Sequence, residues 1–199
     1  MLTRRDLLQR ASAALGFAIT GSAASAILAG CRANPRLDWT PVFLDTDQAT
    51  TVGAMVDHLL PRTATPGAKD LLADRFVDAF LKDFATPAEQ RRFTDGLAEF
   101  DATCRAMFSR PFTALTATER NQVFTRYETQ SPGPAPTIWG GQISDAVEPP
   151  VFYRQFKHLA LVGYFTSTEA GEQLLAYDPI PGSFQGCIPL STVGKAWSL

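Results

Sequence analysis

The sequence predicts an all-α protein, a small irregular bundle of about five helices followed by a long irregular carboxy-terminal tail. Three observations predict it. Apolar residues recur at steps of three and four along most of the chain. Two Thr-x-x-Glu signatures, at Thr86 with Glu89 and Thr116 with Glu119, mark helix starts. No segment alternates apolar and polar residues as a half-buried strand would.

The first thirty residues belong to targeting and leave the fold argument. Arg4 and Arg5 precede an apolar pair, and residues 11–30 carry no charge. Leu28-Ala29-Gly30-Cys31 closes the stretch. The pattern resembles a twin-arginine leader ending in a lipoprotein signal box, which implies cleavage before Cys31 and acylation of that residue. An uncleaved amino-terminal membrane helix is the alternative, since about 20 uncharged residues are just long enough to span a bilayer. Several Gly and Ser residues weigh against it. The expected organisation is a signal segment over 1–30, a lipidated tether over 31–44 and a helical domain over 45–199.

Within that domain, Asp45 to Leu60 reads as a helix, with Ala49, Val52, Val56, Leu59 and Leu60 at helical spacing. Pro61 ends it, and Pro66-Gly67 shapes a turn. A second helix is expected from about Ala68 to Phe84, with Leu72, Phe76, Phe80 and Phe84 as its core stripe. The third starts at Thr86, with Pro87 at the first helical position. It buries Phe93, Leu97, Phe100, Cys104 and either Met107 or Phe108. The fourth runs from Thr116 to about Glu128 and buries Val123, Phe124 and Tyr127. Ser131 to Thr137 holds three prolines and a glycine and reads as a loop. Pro149-Pro150 opens a strongly aromatic fifth helix through about Gly163. A short helical turn near Glu169 to Leu175 precedes the tail, where Pro181-Gly182 marks another turn.

Composition excludes some functions. Without residues 1–30, which hold Arg4, Arg5, Arg10 and Asp6, 15 Lys+Arg stand against 19 Asp+Glu, a net charge of -4. No basic run points to nucleic acid. The 14 Phe and 3 Trp hint at more apolar surface than one small core needs.

The chemistry-bearing residues are sparse. His58 and His158 stand far apart, and each reads as a satisfied helix-surface histidine. Asp74 and Asp78, one helical turn apart, read as a solvated face. No haem-attachment, iron–sulfur, dinucleotide or nucleophile-elbow motif occurs. The expectation is no catalytic residue, no metal site and no cofactor on this chain. Cys104 and Cys187 remain after Cys31 is lipidated. They could bridge each other, Cys187 could bridge a partner, or both could stay free.

Two stretches resemble the gluconate 2-dehydrogenase subunit 3 family. The first is Leu60-Pro61-Arg62-Thr63-Ala64-Thr65-Pro66-Gly67-Ala68. The second begins Phe152-Tyr153-Arg154-Gln155-Phe156-Lys157 and continues through Leu161-Val162-Gly163-Tyr164-Phe165-Thr166-Ser167. It ends in Leu175 to Gly182 and Gly186-Cys187-Ile188-Pro189-Leu190. The resemblance implies a non-catalytic small subunit of a membrane-associated sugar or sugar-acid dehydrogenase. Its large subunit, of the GMC type, would hold FAD, and a cytochrome c subunit often takes the electrons onward. The small subunit would carry the leaderless flavoprotein through twin-arginine export to the periplasmic side of the envelope. The lipoprotein box departs from a plain cleaved leader and suggests that this chain is also the anchor. The partner-facing residues are expected to be Tyr164, Phe165, Tyr177, Phe184 and Trp197, because aromatic side chains dominate interface energetics. The same residues also suit the chain's own core. A free-standing envelope lipoprotein that binds a ligand or assists assembly is the competing reading.

Overall fold

The structure, a computed structural model, describes residues 37–130, 151–178, 180, 182–183 and 187–198. Its order is α1 (Thr46–Leu59), α2 (Ala73–Asp83), α3 (Pro87–Phe108), a 3-10 turn (Phe112–Ala114), α4 (Ala117–Gln130), α5 (Phe152–Phe165), a π turn (Ala170–Leu174) and α6 (Leu190–Val193). The all-α expectation holds, and no strand occurs among the described residues. The leader, including Arg4, Arg5 and Cys31, lies outside them, as does Phe184.

Local chemistry explains most helix starts. At α1 the Gln48 backbone N–H donates to Asp45 at 2.8 Å, and the Asp45 N–H donates to the Gln48 side chain at 3.1 Å. Thr86 with Glu89 and Thr116 with Glu119 make the same reciprocal caps at α3 and α4. Each cap satisfies donors that a helix end leaves orphaned, worth roughly 1 kcal/mol. α3 ends at Ser109, in the left-handed region at φ 56°.

The second helix departs from expectation twice. It begins at Ala73 rather than Ala68, because Leu72 sits at φ 59° and breaks the helical path. The amides of Leu72 and Ala73 are satisfied by Lys69 and Ala68 carbonyls in a tight turn. The face also differs. Ala73, Val77 and Leu81 are fully buried, whereas Leu72 and Phe84 are exposed and Phe76 and Phe80 only half-buried. The largest side chains therefore line the rim of the helix, and smaller ones face the core.

The core is dominated by aromatic rings. Phe93, Phe100, Phe112 and Phe156 are fully buried. Phe112 stacks on Phe124 at 5.6 Å between centroids, and Phe100 lies 5.0 Å from Tyr127. Such pairs add about 0.5–1.5 kcal/mol beyond their area. The 3-10 turn delivers Phe112 into this cluster, and its amide donates to Asp101 at 3.0 Å. α2 packs most extensively on α5. A Cβ on Gly163 would come within 2.8 Å of the Phe76 ring, so glycine permits that close approach.

The chain beyond Leu174 is not wholly irregular. Ala176 bridges the terminal segment: its amide donates to Ala196 at 2.7 Å, and the Ser198 amide donates back at 2.8 Å. Lys195 donates to the Gln173 carbonyl at 2.9 Å. Cys104 and Cys187 are both free thiols in the structure, the arrangement in which neither bridges the other. Cys104 points from α3 into the core, whereas Cys187 is exposed.

Candidate functional site

The Pro61–Ala68 loop is held rigid from within. The Ala68 amide donates to the Leu60 carbonyl at 2.8 Å, and Thr63 donates to the Thr65 carbonyl at 3.0 Å. Asp70 accepts the Gly67 amide at 2.7 Å and pairs with Arg62 at 2.7 Å. The Arg62 partner and the Gly67 amide lower the Asp70 pKa. A Cβ on Gly67 would lie 2.7 Å from the Arg62 nitrogen, which makes this a position for glycine alone. From α5 the Tyr164 hydroxyl donates to the Pro66 carbonyl at 3.1 Å. That bond ties the loop to the aromatic helix.

Of the described residues expected to face a partner, Tyr164 is the one whose side chain is buried within this chain. Its side chain is only 7% exposed and serves the chain's own packing. The next position differs: Phe165 lies edge-on to Tyr164 at 5.0 Å and is 40% exposed. Tyr177 and Trp197 are also exposed. The bridge at Ala176 brings Tyr177 and Trp197 into one neighbourhood, since one follows Ala176 and the other pairs with it. Ile180 and Ile188 add exposed apolar surface to the same tail. Sequence reasoning did not single out these two.

The titratable groups serve the fold. His58 Nε2 pairs with Asn121 at 3.0 Å, and the ring meets Phe124 edge-on at 5.0 Å. Burial lowers its pKa. His158 was expected to be satisfied. Instead its Nε2 is buried without a hydrogen-bond partner among the described residues, and burial lowers its pKa as well. It lines a small pocket with Glu128, Arg154, Lys157 and Leu161, where Lys157 pairs with Glu128 at 2.8 Å.

Asp74 and Asp78 are corrected too, because both are buried rather than solvated. Asp78 accepts the backbone amides of Val42, Phe43 and Leu44 at 2.6, 3.1 and 2.7 Å. It clamps the segment entering α1 onto α2. Asp74 accepts the Arg75 amide at 2.9 Å, and burial raises its pKa. Burial pushes the Cys104 thiol up to about 12. Among the described residues no three His, Cys, Asp or Glu side chains gather as metal ligands would. No helix among them is long and apolar enough to cross a membrane.

The other apolar feature lies on α2. Phe76, Ala79, Phe80 and Phe84 line an open groove of about 390 Å³. Phe80 stacks on Phe84 at 5.5 Å, and Phe76 lies 6.1 Å from Phe80. Phe84 is 76% exposed, unusual for so large a ring. The arrangement therefore offers apolar contact surfaces.

Compared with known proteins, residues 46–182 match the family model described as gluconate 2-dehydrogenase subunit 3. No curated protein and no solved structure matches the chain.

Proposed function

The chain belongs to the gluconate 2-dehydrogenase subunit 3 family, a subunit of a dehydrogenase complex, and from that premise we propose a specific role for it. It is the non-catalytic small subunit of a membrane-associated, FAD-dependent sugar or sugar-acid dehydrogenase. FAD sits on a larger GMC-type partner. The chain carries no cofactor of its own. It brings the folded flavoprotein through twin-arginine export by means of Arg4 and Arg5, and acylation of Cys31 holds the complex at the periplasmic side of the envelope.

One observation carries this reading: Phe165, Tyr177 and Trp197 stay exposed, while the Tyr164 hydroxyl beside Phe165 and the backbone of Ala176 beside Tyr177 are bonded within the chain. A large apolar surface with internally satisfied polar groups suits a permanent protein partner. Aromatic anchors of this kind carry most of the energy in such interfaces. The Tyr164–Pro66 bond gives the surface a stiff base, which limits the ordering cost of binding.

Export provides the test. Changing Arg4 and Arg5 to Lys should retain both this chain and the dehydrogenase activity inside the cell. Affinity capture of the native chain should bring a larger, yellow, flavin-bearing protein. If the dehydrogenase still reaches the envelope, or the chain emerges from its membrane alone, the role fails. The free-standing lipoprotein reading would then replace it.

A further inference from the structure

The groove on α2 is lined by Phe76, Ala79, Phe80 and Phe84 alone, whereas the tail surface carries Tyr177 and Trp197. We propose that this face of α2 rests on the lipid surface to which the chain is anchored, a proposal that builds on the acylation of Cys31.

The path of the chain argues for it. The first described residues are fastened to α2. Asp38 pairs with Arg75 at 3.0 Å, and the Arg75 guanidinium lies 5.6 Å from the Trp39 ring. Val42 to Leu44 are clamped by Asp78 of the same helix. Residues 38–44 therefore run against α2, and the clamp at Asp78 is on its inward face, across the helix from the groove. Six peptide steps separate Cys31 from Leu37. At most about 3.6 Å per residue, they reach roughly 20 Å. That is enough to pass around a helix roughly 10 Å wide, and too little to lift the domain far from the lipid.

The chemistry of the groove fits the same occupant. Its lining is three phenylalanine rings and an alanine, with no polar side chain. Phe84 projects furthest, at the end of the helix. An apolar helical face seated in the interface typically sinks roughly 5–10 Å into the headgroup and acyl boundary. Charge contributes little. Arg75 is occupied by Asp38, exposed Lys82 is offset by neighbouring Asp83, and the chain without its leader is net negative. The contact is thus apolar and should persist in salt that would strip an electrostatic one.

The test uses the full chain, exported and purified with its complex, carrying Phe84→Trp. The complex is placed in vesicles of phosphatidylethanolamine and phosphatidylglycerol, with or without lipids brominated along the acyl chain. The emission added by the new indole, relative to the parent, should shift blue on vesicles. Brominated lipid should quench it, as expected for a ring seated at the headgroup and acyl boundary. Raising the salt should leave the quenching unchanged. Emission that stays unquenched while the complex sediments with the vesicles overturns the proposal. Emission already blue-shifted and shielded from aqueous iodide before lipid is added also overturns it, and assigns the groove to a protein partner. The acyl state of Cys31 is read separately, from the mass of the mature chain. An unacylated Cys31 defeats the anchor alone, because quenching at position 84 still reports on the helix face. A Phe84→Gln variant that assembles normally should lose vesicle binding once Cys31→Ser removes the lipid. Undiminished binding of that double variant counts against the groove.

Discussion

The Tyr164 hydroxyl donates to the carbonyl oxygen of Pro66 across 98 residues of sequence. It thereby joins the loop after α1 to the aromatic face of α5. The two stretches that carry the family resemblance are thus two sides of one structural joint. Asp70 secures the same loop from its other end through Gly67 and Arg62.

Tyr164→Phe removes that donor and keeps the ring. A single hydrogen bond contributes roughly 1 kcal/mol, with a further cost if the abandoned carbonyl stays dry. Denaturant titration should show a loss of about 1–2 kcal/mol on that account. Because Tyr164 is buried, capture of the dehydrogenase partner at low temperature should be nearly unchanged.

Asp78 and Asp74 should answer oppositely to neutralisation. Asp78→Ala orphans three amides, so a loss of roughly 3 kcal/mol or more is expected, with faster amide exchange at Val42 to Leu44. Asp74 sits where burial raises its pKa, so the folded state disfavours its charge. The folded protein then holds the proton more tightly than the unfolded chain. Stability conferred by that proton is present below the unfolded value, 3.8, and declines as pH rises through the higher folded value. Asp74→Asn should flatten this decline and raise the melting temperature at pH 7. A lower melting temperature there would show that the Arg75 amide and the nearby Lys69 outweigh desolvation.

The thiols should differ in reactivity. Cys187 is exposed and should alkylate readily in the folded protein. Cys104 is buried, with its pKa pushed up to about 12, and should react only after unfolding. Mass spectrometry after native alkylation should therefore find one adduct on the described domain. Finding none would mean that Cys187 is covered or bridged in the native complex.

The exposed aromatic face should be dispensable for folding and needed for assembly. Phe165→Ser, Tyr177→Ser and Trp197→Ser should each change stability by only about 0.5 kcal/mol, as surface substitutions do. A residue that anchors an interface costs about 2 kcal/mol or more when truncated, which is over tenfold in affinity. Recovery of flavoprotein with the tagged chain measures it. Undiminished recovery from all three variants would remove this surface from the interface.

Much of this architecture is legible in local chemistry. Thr86 with Glu89 and Thr116 with Glu119 announce their helices, because capping is decided within four residues. Phe93, Leu97, Phe100 and Cys104 predict the buried face of α3 for a similar reason. A long helix with one clear apolar stripe has few ways to pack. Phe112 gave no such signal, since a three-residue turn has no period to read.

The sequence by itself determined the five long helices and where two of them begin, but neither the 3-10 turn at Phe112–Ala114 nor the short helix Leu190–Val193 in the tail. Only the tertiary structure decided which face of α2 turns inward. Periodicity places Leu72, Phe76, Phe80 and Phe84 on one row, and size suggests that this row is the core. Burial instead fell to Ala73, Val77 and Leu81, with Asp74 and Asp78 beside them. A carboxylate can be buried only if donors meet it there, and those of Asp78 arrive from residues 34 to 36 positions away. No local pattern encodes that meeting, so the aromatic row was left facing outward.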